Sequence, residues 1–249
     1  MISISKLNKK FGKLHVLKDL NLELEKGVSY AMMGPNASGK TTLIKTILGL
    51  VIPTSGSIKV KGEDIMGQWM YRSKIGYMPQ IGRYPENIKI GQVISMIQNI
   101  RKDKKEYDQE LVNGFGLDSM LNKPMRTLSG GTRQKVSAAL AFMFDPEIYI
   151  LDEPTAGLDP LAVEVLKKKI SKERDKDKLI IITSHILSDL DELASHAIYL
   201  NEGKVFYNNS ISVLKEETGE TRFSSSIARL MEWSLNGETQ KQEINDQIA

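Results

Sequence analysis

Residues 34–42 carry the pattern with the clearest chemical meaning in this chain. They read Gly-Pro-Asn-Ala-Ser-Gly-Lys-Thr-Thr, which fits the phosphate-binding pattern G-x-x-x-x-G-K-S/T. Glycine permits the positive-φ turns that let backbone N–H groups surround phosphate oxygens. Lys40 can reach the β- and γ-phosphates, and the Thr41 hydroxyl can ligate Mg²⁺. We therefore assign the whole loop to nucleotide binding: Gly34, Pro35, Asn36, Ala37, Ser38, Gly39, Lys40, Thr41 and Thr42.

A second group of chemically capable residues is the carboxylate pair Asp152 and Glu153, which follows the apolar stretch 148–151. A continuously apolar strand is typical of a parallel sheet covered on both faces, and ligands bind beyond the carboxyl ends of such strands. Asp152 is placed to hold Mg²⁺, directly or through water, and Glu153 to polarise the water that attacks a γ-phosphate. Without the upstream loop, two surface carboxylates before Pro154 would be the simpler interpretation.

Two further positions could contact an anion. Ser129 precedes two glycines and a helical run over 132–140, so it is a plausible N-cap, and the three residues can expose several N–H donors. Taken alone, a capped structural helix without a ligand is the simpler interpretation. His185 follows the apolar run 179–182, which places it at a strand end, although lone histidines are more often structural.

The phosphate loop needs a strand before it and a helix after it, and the sequence provides both. Residues 28–33 form a short apolar stretch typical of a buried strand, and the residues after Lys40 have helical spacing. Residues 1–30 and about 56–62 carry strand patterns, which predict an antiparallel β subdomain. Apolar residues recur at helical intervals over about 83–127, which predicts an inserted helical subdomain.

The second half of the chain predicts a helix, a hairpin and a tail. Pro160 to Arg174 is predicted to be a helix whose lysine run, 167–169, is mostly solvated. Its predicted inward residues are Leu161, Val165 and Leu166. Residues 198–207 predict a hairpin that turns at Glu202-Gly203. Beyond about residue 216 the pattern predicts one amphipathic helix containing Ile227, Leu230, Met231 and Leu235, with the final dozen residues disordered.

Composition excludes several classes of protein. The chain of 249 residues has 34 Lys+Arg against 31 Asp+Glu, a formal charge of +3, which is too small to indicate nucleic-acid binding. It has no cysteine, so disulfides and thiolate metal sites are excluded. We find no signal peptide and no apolar run approaching the roughly 20 residues that cross a bilayer. A soluble, cytoplasmic protein is therefore expected.

In their order along the chain, these motifs resemble those of the ATP-binding cassette (ABC) ATPases over roughly residues 1–215. Residues 34–42 match the Walker A loop, and 148–153 match the Walker B strand with its catalytic glutamate. Phe11 resembles the aromatic that stacks on adenine, with Val16 assigned to the same nucleotide site, and Gln80 resembles the Q-loop glutamine. The resembling signature residues are Leu128, Ser129, Gly130, Gly131 and Thr132, and the D-loop residues are Gly157, Leu158 and Asp159.

The resemblance implies a fold, an activity and partners. The fold would be α/β, a RecA-like P-loop NTPase core with an antiparallel β subdomain and a helical subdomain over about 83–135, followed by an extension over 216–249. Catalysis is assigned to Lys40, Glu153 and His185, the switch histidine, and Mg²⁺ coordination to Thr41, Gln80 and Asp152. Two copies would pair head to tail as a homodimer, with the signature of each facing the ATP of the other. Thr132 replaces the usual signature glutamine, and Ala37 stands where glycine is common in the loop.

The resemblance is compatible with two classes of ABC ATPase. The first is the energy-coupling subunit of a transporter, which works with a separate transmembrane permease and would lie at the cytoplasmic face of the inner membrane. The second is a soluble ATPase that acts on ribosomes, DNA or Fe–S cluster assembly. The chain has room for one cassette and lacks a long coiled coil between Lys40 and Leu128, which favours transport. An Fe–S assembly ATPase remains the alternative.

Within the transporters, the pattern resembles multidrug and ABC-2-type drug or lipid exporters. Residues 71–85 also resemble NosF-type ATPases, which serve maturation of the copper site of nitrous oxide reductase. This chain itself is not expected to bind copper, because it has no cysteine and Met66, Met70 and Met78 are more simply core or interface residues. The residues after Gln80 would receive a helix of the permease, and the transported substrate would be determined by that permease.

Overall fold

The computed structural model describes residues 1–101 and 106–235. Its chain divides into two compact units. The phosphate-loop unit comprises Ile2–Glu23, Tyr30–Met66 and the chain from Ile186 onward, and the carboxylate unit comprises Met1, Leu24–Ser29 and Gly67–His185. The predicted disorder of the final dozen residues lies outside the described residues.

An antiparallel sheet forms much of the phosphate-loop unit, as the strand patterns predict. Its strands are β1 Ile2–Phe11, β2 Leu14–Leu24, β4 Ser55–Val60 and β5 Glu63–Asp64. Their order in the sheet is β2-β1-β4-β5, and Ile2 of β1 pairs with Val60 of β4. Alternation of apolar and polar residues gives the sheet one covered face, on which Ile2, Ile4, Ile58 and Val60 are buried.

The phosphate loop follows β3, Ser29–Met33, in which every residue is buried. Helix α1, Lys40–Ile47, begins directly after the loop. Strand β3 runs parallel to β9, His196–Asn201, which turns through Glu202-Gly203 into the antiparallel β10, Lys204–Ser210. The strand–loop–helix arrangement and the hairpin are both confirmed.

The same unit ends in helices α6 Leu187–Leu193, α7 Ile211–Thr218 and α8 Phe223–Leu235. Ile227 and Leu230 of α8 are buried, as predicted, whereas Met231 and Leu235 are exposed. The predicted amphipathic helix therefore exists, but its buried stripe contains Phe223 in place of those last two residues. No helix in the described part of the chain is both long and apolar enough to cross a bilayer.

Three parallel strands organise the carboxylate unit: β6 Ile75–Met78, β7 Ile148–Asp152 and β8 Leu179–Thr183. Strand β7 is buried until its last residue, Asp152, and β8 is buried throughout, as their apolar sequences predict. The helices are α2 Ile90–Ile100, α3 Glu110–Gly114, α4 Gly130–Phe142 and α5 Pro160–Arg174. Short 3₁₀ helices occupy Met70–Lys74, Leu117–Met120 and Met125–Thr127.

Helix α5 has the predicted bounds, but two of its side chains were assigned to the wrong face. Leu161 is 74% exposed, and Lys169 is only 1% exposed. The buried stripe follows helical spacing through Ala162, Leu166, Lys169, Ile170 and Glu173, which excludes Leu161. Lys169 tolerates this burial because carboxylates from Asp108, Glu110 and Glu173 surround its ammonium group.

Candidate nucleotide-binding and catalytic site

The phosphate loop has the backbone conformation that its glycines predict. Gly34 has φ 144° and Gly39 has φ 108°, both in the region that favours glycine. A Cβ on Gly34 would lie 2.1 Å from the Leu200 carbonyl oxygen, so the loop also lies too close to β9 for any other residue. Ala37 has φ 64°, a left-handed conformation that is strained for an alanine.

The β9–β10 hairpin supports the loop from outside the motif. The Gly203 N–H donates to the Ser38 carbonyl at 3.0 Å, and the Lys18 N–H donates to the Gly203 carbonyl at 2.9 Å. A Cβ on Gly203 would lie 2.2 Å from the Val16 carbonyl oxygen, so the predicted nucleotide residue Val16 is held next to this turn. A hairpin glycine in contact with the loop was not foreseen, because the contact joins residues far apart in sequence.

Lys40 folds back over the loop. Its Nζ donates to the carbonyls of Gly34 at 2.7 Å and Pro35 at 2.9 Å, which holds the positive charge beside the backbone N–H groups of the loop. Ser38 Oγ is buried and has no hydrogen-bond partner among the described residues. An unsatisfied buried hydroxyl next to a cation and a helix N-terminus is the environment that a phosphate group would complete.

Phe11, the predicted adenine platform, lies at the end of β1 and is 49% exposed. The ammonium group of Lys9 lies 4.7 Å from the centre of its ring, which is cation–π distance. A base stacking on this ring would use the opposite face or displace Lys9.

The carboxyl ends of β7 and β8 bring the two predicted carboxylates next to Thr183. The Thr183 hydroxyl donates to Asp152 Oδ1. The Glu153 N–H is directed at both the Thr183 carbonyl, 3.0 Å away, and the Thr183 Oγ1, 3.2 Å away. Thr183 was not among the predicted site residues. Its place at the end of an apolar strand, two residues before His185, is the signal that could have identified it.

Glu153 and His185 are brought together as a pair. Glu153 Oε1 lies 3.4 Å from His185 Nε2, and Glu153 Oε2 accepts a hydrogen bond from the His185 backbone N–H at 3.3 Å. Glu153 is largely buried, whereas the His185 ring is exposed. A carboxylate held in this way can polarise a water molecule while the imidazole orients it.

The signature residues form the capped helix start that the sequence predicts. Ser129 is the N-cap of α4, and its Oγ accepts a hydrogen bond from the Thr132 N–H at 3.2 Å. The Thr132 hydroxyl lies 2.9 Å from the same Ser129 Oγ, a contact that involves the residue departing from the usual signature. Ser129 and Gly130 are exposed, and a Cβ on Gly130 would meet nothing within 4 Å. Leu128, by contrast, is buried and anchors the segment.

The D-loop is attached to the signature helix of the same chain. A Cβ on Gly131 would lie 2.5 Å from the Gly157 carbonyl oxygen, and Lys135 Nζ lies 2.6 Å from Asp159 Oδ2. Asp159 also caps α5 by accepting a hydrogen bond from the Ala162 N–H at 3.0 Å. The hydrogen bond from Lys135, with that from Ala162, holds the pKa of Asp159 below its usual value. Lys135 was not a predicted site residue.

The predicted magnesium ligands Thr41, Gln80 and Asp152 offer oxygen donors, which suit this hard cation. Gln80 is exposed, two residues beyond the end of β6, and Asp152 keeps one oxygen hydrogen-bonded to Thr183. Within residues 1–101 and 106–235, no group of three or more His, Cys, Asp or Glu is arranged to hold a metal. Magnesium that binds together with a nucleotide is held by one or two carboxylates besides phosphate oxygens and water, and Asp152 is the carboxylate among the predicted ligands.

Comparison with known proteins identifies relatives of this chain. Residues 17–156 match the family model described as ABC transporter. The chain is 33% identical to the lantibiotic transport ATP-binding protein SrtF of Streptococcus pyogenes, over 82% of this chain and 89% of that protein. It is 31% identical to the bacitracin transport ATP-binding protein BcrA of Bacillus licheniformis, over 87% of this chain and 72% of that protein.

A solved structure of an ATP-binding subunit of an ABC transporter superposes on this chain with a TM-score of 0.85 at 25% identity. The match covers 93% of this chain and 99% of that one. The predicted α/β P-loop fold class is thereby confirmed.

Proposed function

Because this chain belongs to the ABC transporter family, we propose that it binds and hydrolyses ATP in order to move a separate membrane permease. It is an ATPase subunit of that family, and the roles of its individual residues are part of our proposal. The observation that carries these roles is the contact between the Glu153 carboxylate and His185 beyond the ends of two buried strands.

Each predicted site residue has a chemical task. Lys40 and the loop N–H groups bind the β- and γ-phosphates, and Phe11 with Val16 accommodates the base. Glu153 accepts a proton from the attacking water as it approaches the γ-phosphate, and His185 orients that water. Magnesium, when bound with the nucleotide, neutralises charge on the phosphate oxygens, and we assign its coordination to Thr41, Gln80 and Asp152.

The working form that we propose is a head-to-tail homodimer. The N-terminus of α4 is an anion-binding feature with no predicted role in the nucleotide site of its own chain. Its exposed Ser129 and Gly130 are accessible to a second copy, and a two-fold axis would place each signature on the nucleotide of the other copy. The same interface would include the D-loop residues Gly157, Leu158 and Asp159. Hydrolysis of ATP would then let the two copies separate.

The decisive experiment changes Glu153 to glutamine. Glu153→Gln keeps the size and hydrogen-bonding capacity of the side chain but removes its basicity, so ATP should bind while turnover falls by roughly 10²- to 10⁴-fold. The stalled protein should accumulate as an ATP-bound dimer that is visible by size-exclusion chromatography.

Lys40→Ala provides the contrast, because this variant should lose nucleotide binding and therefore form no ATP-dependent dimer. Hydrolysis at the wild-type rate by Glu153→Gln would contradict the assignment of the base. A dimer that forms equally well without ATP would contradict the proposed interface.

The cargo that we propose is a peptide antibiotic moved by an exporter, with this chain peripheral at the cytoplasmic face of the inner membrane. This is supported by the relatives named for transport of lantibiotic and of bacitracin. Co-expression with a candidate permease should carry the chain into the membrane fraction, and detergent extraction should recover both. A chain that stays in the soluble fraction would favour the alternative of an ATPase in Fe–S assembly.

A NosF-type role is a second candidate, supported by the resemblance of the sequence of residues 71–85 to NosF-type ATPases. The two candidates differ in what stimulates the ATPase once the chain is reconstituted with its permease. A peptide antibiotic should raise the rate if the first proposal is correct. Dependence of nitrous oxide reductase maturation on this chain would instead support the second.

A further inference from the structure

Gln134 makes a hydrogen bond that no sequence motif predicts. It lies in the first turn and a half of α4, and it is 5% exposed. Its Nε2 donates to the backbone carbonyl of Glu153 at 3.3 Å. A buried amide needs a hydrogen-bond partner, because a buried polar group without one costs folding free energy.

The backbone of Glu153 needs support of this kind. Glu153 has φ 53°, in the left-handed region that residues other than glycine rarely adopt. Its N–H is fixed by Thr183, and its carbonyl accepts from the Ala156 N–H at 3.2 Å as well as from Gln134. Strained conformations persist at functional sites only when the surrounding residues hold them. The Glu153 carbonyl is held in part by the Gln134 side chain.

Two other contacts join α4 to the segment after Glu153, and both involve residues further along the chain than Glu153. Lys135 pairs with Asp159, and Gly131 lies against the Gly157 carbonyl. Among the hydrogen bonds of the described residues, the bond from Gln134 therefore connects the signature helix to the predicted base itself.

We propose that Gln134 is a positioning residue that holds the Glu153 backbone in its left-handed conformation, so that the carboxylate remains between His185 and the attacking water. This role rests on the proposed function, in which Glu153 is the base. Gln134 touches no reacting atom in this proposal, so its removal should impair hydrolysis without impairing ATP binding.

The first test compares Gln134→Met with Ser137→Ala. Methionine keeps the length and volume of the glutamine side chain but cannot donate the hydrogen bond. We expect kcat to fall by roughly 10- to 100-fold, as for a catalytic group displaced by about 1 Å, with KM and the affinity for ATP nearly unchanged. Ser137 is also buried in α4 and is not bonded to Glu153, so Ser137→Ala should retain wild-type turnover.

Gln134→Asn is the second variant, to be used if methionine prevents folding. It keeps the amide but withdraws it by one methylene from a bond that is already 3.3 Å long, so it should show the same loss of kcat. A wild-type kcat in either folded variant would overturn the proposal. Parallel losses of kcat, ATP affinity and thermal stability would also overturn it, since they indicate a general structural role.

Mixed dimers distinguish action on Glu153 from action through the signature. With Gln134→Met and Glu153→Gln in the same copy, the remaining Glu153 keeps its own Gln134, and turnover should match that of a dimer carrying Glu153→Gln alone in one copy. With the two changes in opposite copies, turnover should be roughly 10- to 100-fold lower than in that reference dimer. The reverse pattern would overturn the proposal, whereas a Glu153→Gln homodimer with wild-type turnover would show that Glu153 is not the base, which is the part of the proposed function on which this role rests.

Discussion

At the scale of single residues, the candidate site contains two of the eight described non-glycine residues that have positive φ. Ala37 in the phosphate loop and Glu153 beyond β7 both have positive φ without being glycine. A left-handed conformation costs an L-residue about 1–2 kcal/mol, so each must be held by its neighbours. For Glu153 those neighbours are the side chain and backbone of Thr183 and the amide of Gln134. For Ala37, the strain has no such catalytic benefit and should be removable.

Ala37→Gly should therefore stabilise the protein without nucleotide. Glycine adopts φ 64° at no steric cost, but it also gains entropy in the unfolded chain, so the net gain should be about 0.5–1 kcal/mol. For a domain of this size that corresponds to roughly 1–4 °C in Tm, measurable by calorimetry.

Ala228→Gly is the matched control, because Ala228 is exposed within α8. The same change there should destabilise by about 1 kcal/mol, since it removes helix propensity and relieves no strain. Equal effects at both positions would mean that the conformation of Ala37 is not strained.

The sequence predicted the groups that could do chemistry but not those that orient them. Four residues are recognisable because they have chemically reactive side chains at a fixed spacing from glycines or strand ends: Lys40, Asp152, Glu153 and His185. Gln134, Lys135 and Thr183 act through hydrogen bonds to residues 19–31 positions away, a relation that local pattern does not contain. Their roles follow only once β7, β8 and α4 are placed.

At the scale of elements, helix α5 carries one buried lysine, Lys169, in its otherwise largely apolar buried stripe. Lys169 Nζ lies 2.5 Å from Asp108 Oδ2, 3.0 Å from Glu110 Oε2 and 2.8 Å from Glu173 Oε1. Burial alone would lower the pKa of Lys169, but the hydrogen bonds to these carboxylates outweigh it and raise the pKa. Glu110 is the first residue of α3 and Asp108 lies two residues before it, so this cluster ties the start of α3 to α5.

Lys169→Met should consequently be strongly destabilising. Removing the ammonium group takes the ion pair from Asp108 and leaves the buried Glu173 with Lys176 as its remaining partner, and breaking a buried ion pair typically costs about 3–5 kcal/mol. We expect a large decrease in the urea midpoint with the cooperativity of unfolding preserved.

Lys172→Met is the matched control for that measurement. Lys172 also contacts Glu110, at 2.8 Å, but its side chain is 55% exposed. Such surface pairs contribute about 0–1 kcal/mol, so the midpoint should barely move. A comparable loss in both variants would contradict the importance of burial at Lys169.

Two carboxylates that pair with lysines of other helices should make the free energy of unfolding depend on pH. The pKa of Glu110 is lowered by the hydrogen bond from Lys172 first and also by Lys169, and that of Asp159 is lowered chiefly by Lys135. Because both folded pKa values lie below the unfolded values of about 4, their stabilisation is present above that pH and is lost as the pH falls through the folded values.

Asp159→Asn tests this dependence. Asparagine remains a good N-cap for α5 but cannot form the ion pair with Lys135. Urea midpoints measured between neutral pH and roughly pH 3 should fall less steeply for the variant than for the wild type. Identical pH profiles would show that the ion pair with Lys135 has no net effect on stability.

At the scale of the whole molecule, the order of motifs predicted the fold class, whereas the division of the chain follows from long-range contacts. Leu24–Ser29 belongs to the carboxylate unit although it precedes the phosphate loop. The Ile180 N–H donates to the Val28 carbonyl at 3.1 Å, joining residues that lie 152 positions apart in sequence. Periodicity identifies each strand separately, but it does not say which unit a short connecting segment will join.

At the same scale, binding of Mg-ATP should raise the melting temperature of the entire chain. A ligand that binds only the folded state at 100 times its Kd adds about 2.7 kcal/mol. For about 250 residues, Mg-ATP should therefore raise Tm by roughly 5–10 °C, measurable by calorimetry under conditions that prevent turnover. Lys40→Ala should abolish this shift, because the phosphates lose the cation that folds over the loop.

Lys45→Ala controls for the loss of a lysine from α1. Lys45 is exposed near the other end of that helix, so the variant should keep the full shift with ATP. If the ATP-bound state is a dimer, the shift should also grow with protein concentration, whereas the Tm without nucleotide should not depend on it. A shift that persists in Lys40→Ala would place the nucleotide outside the phosphate loop, and a shift independent of concentration would mean that ATP binds without joining two copies.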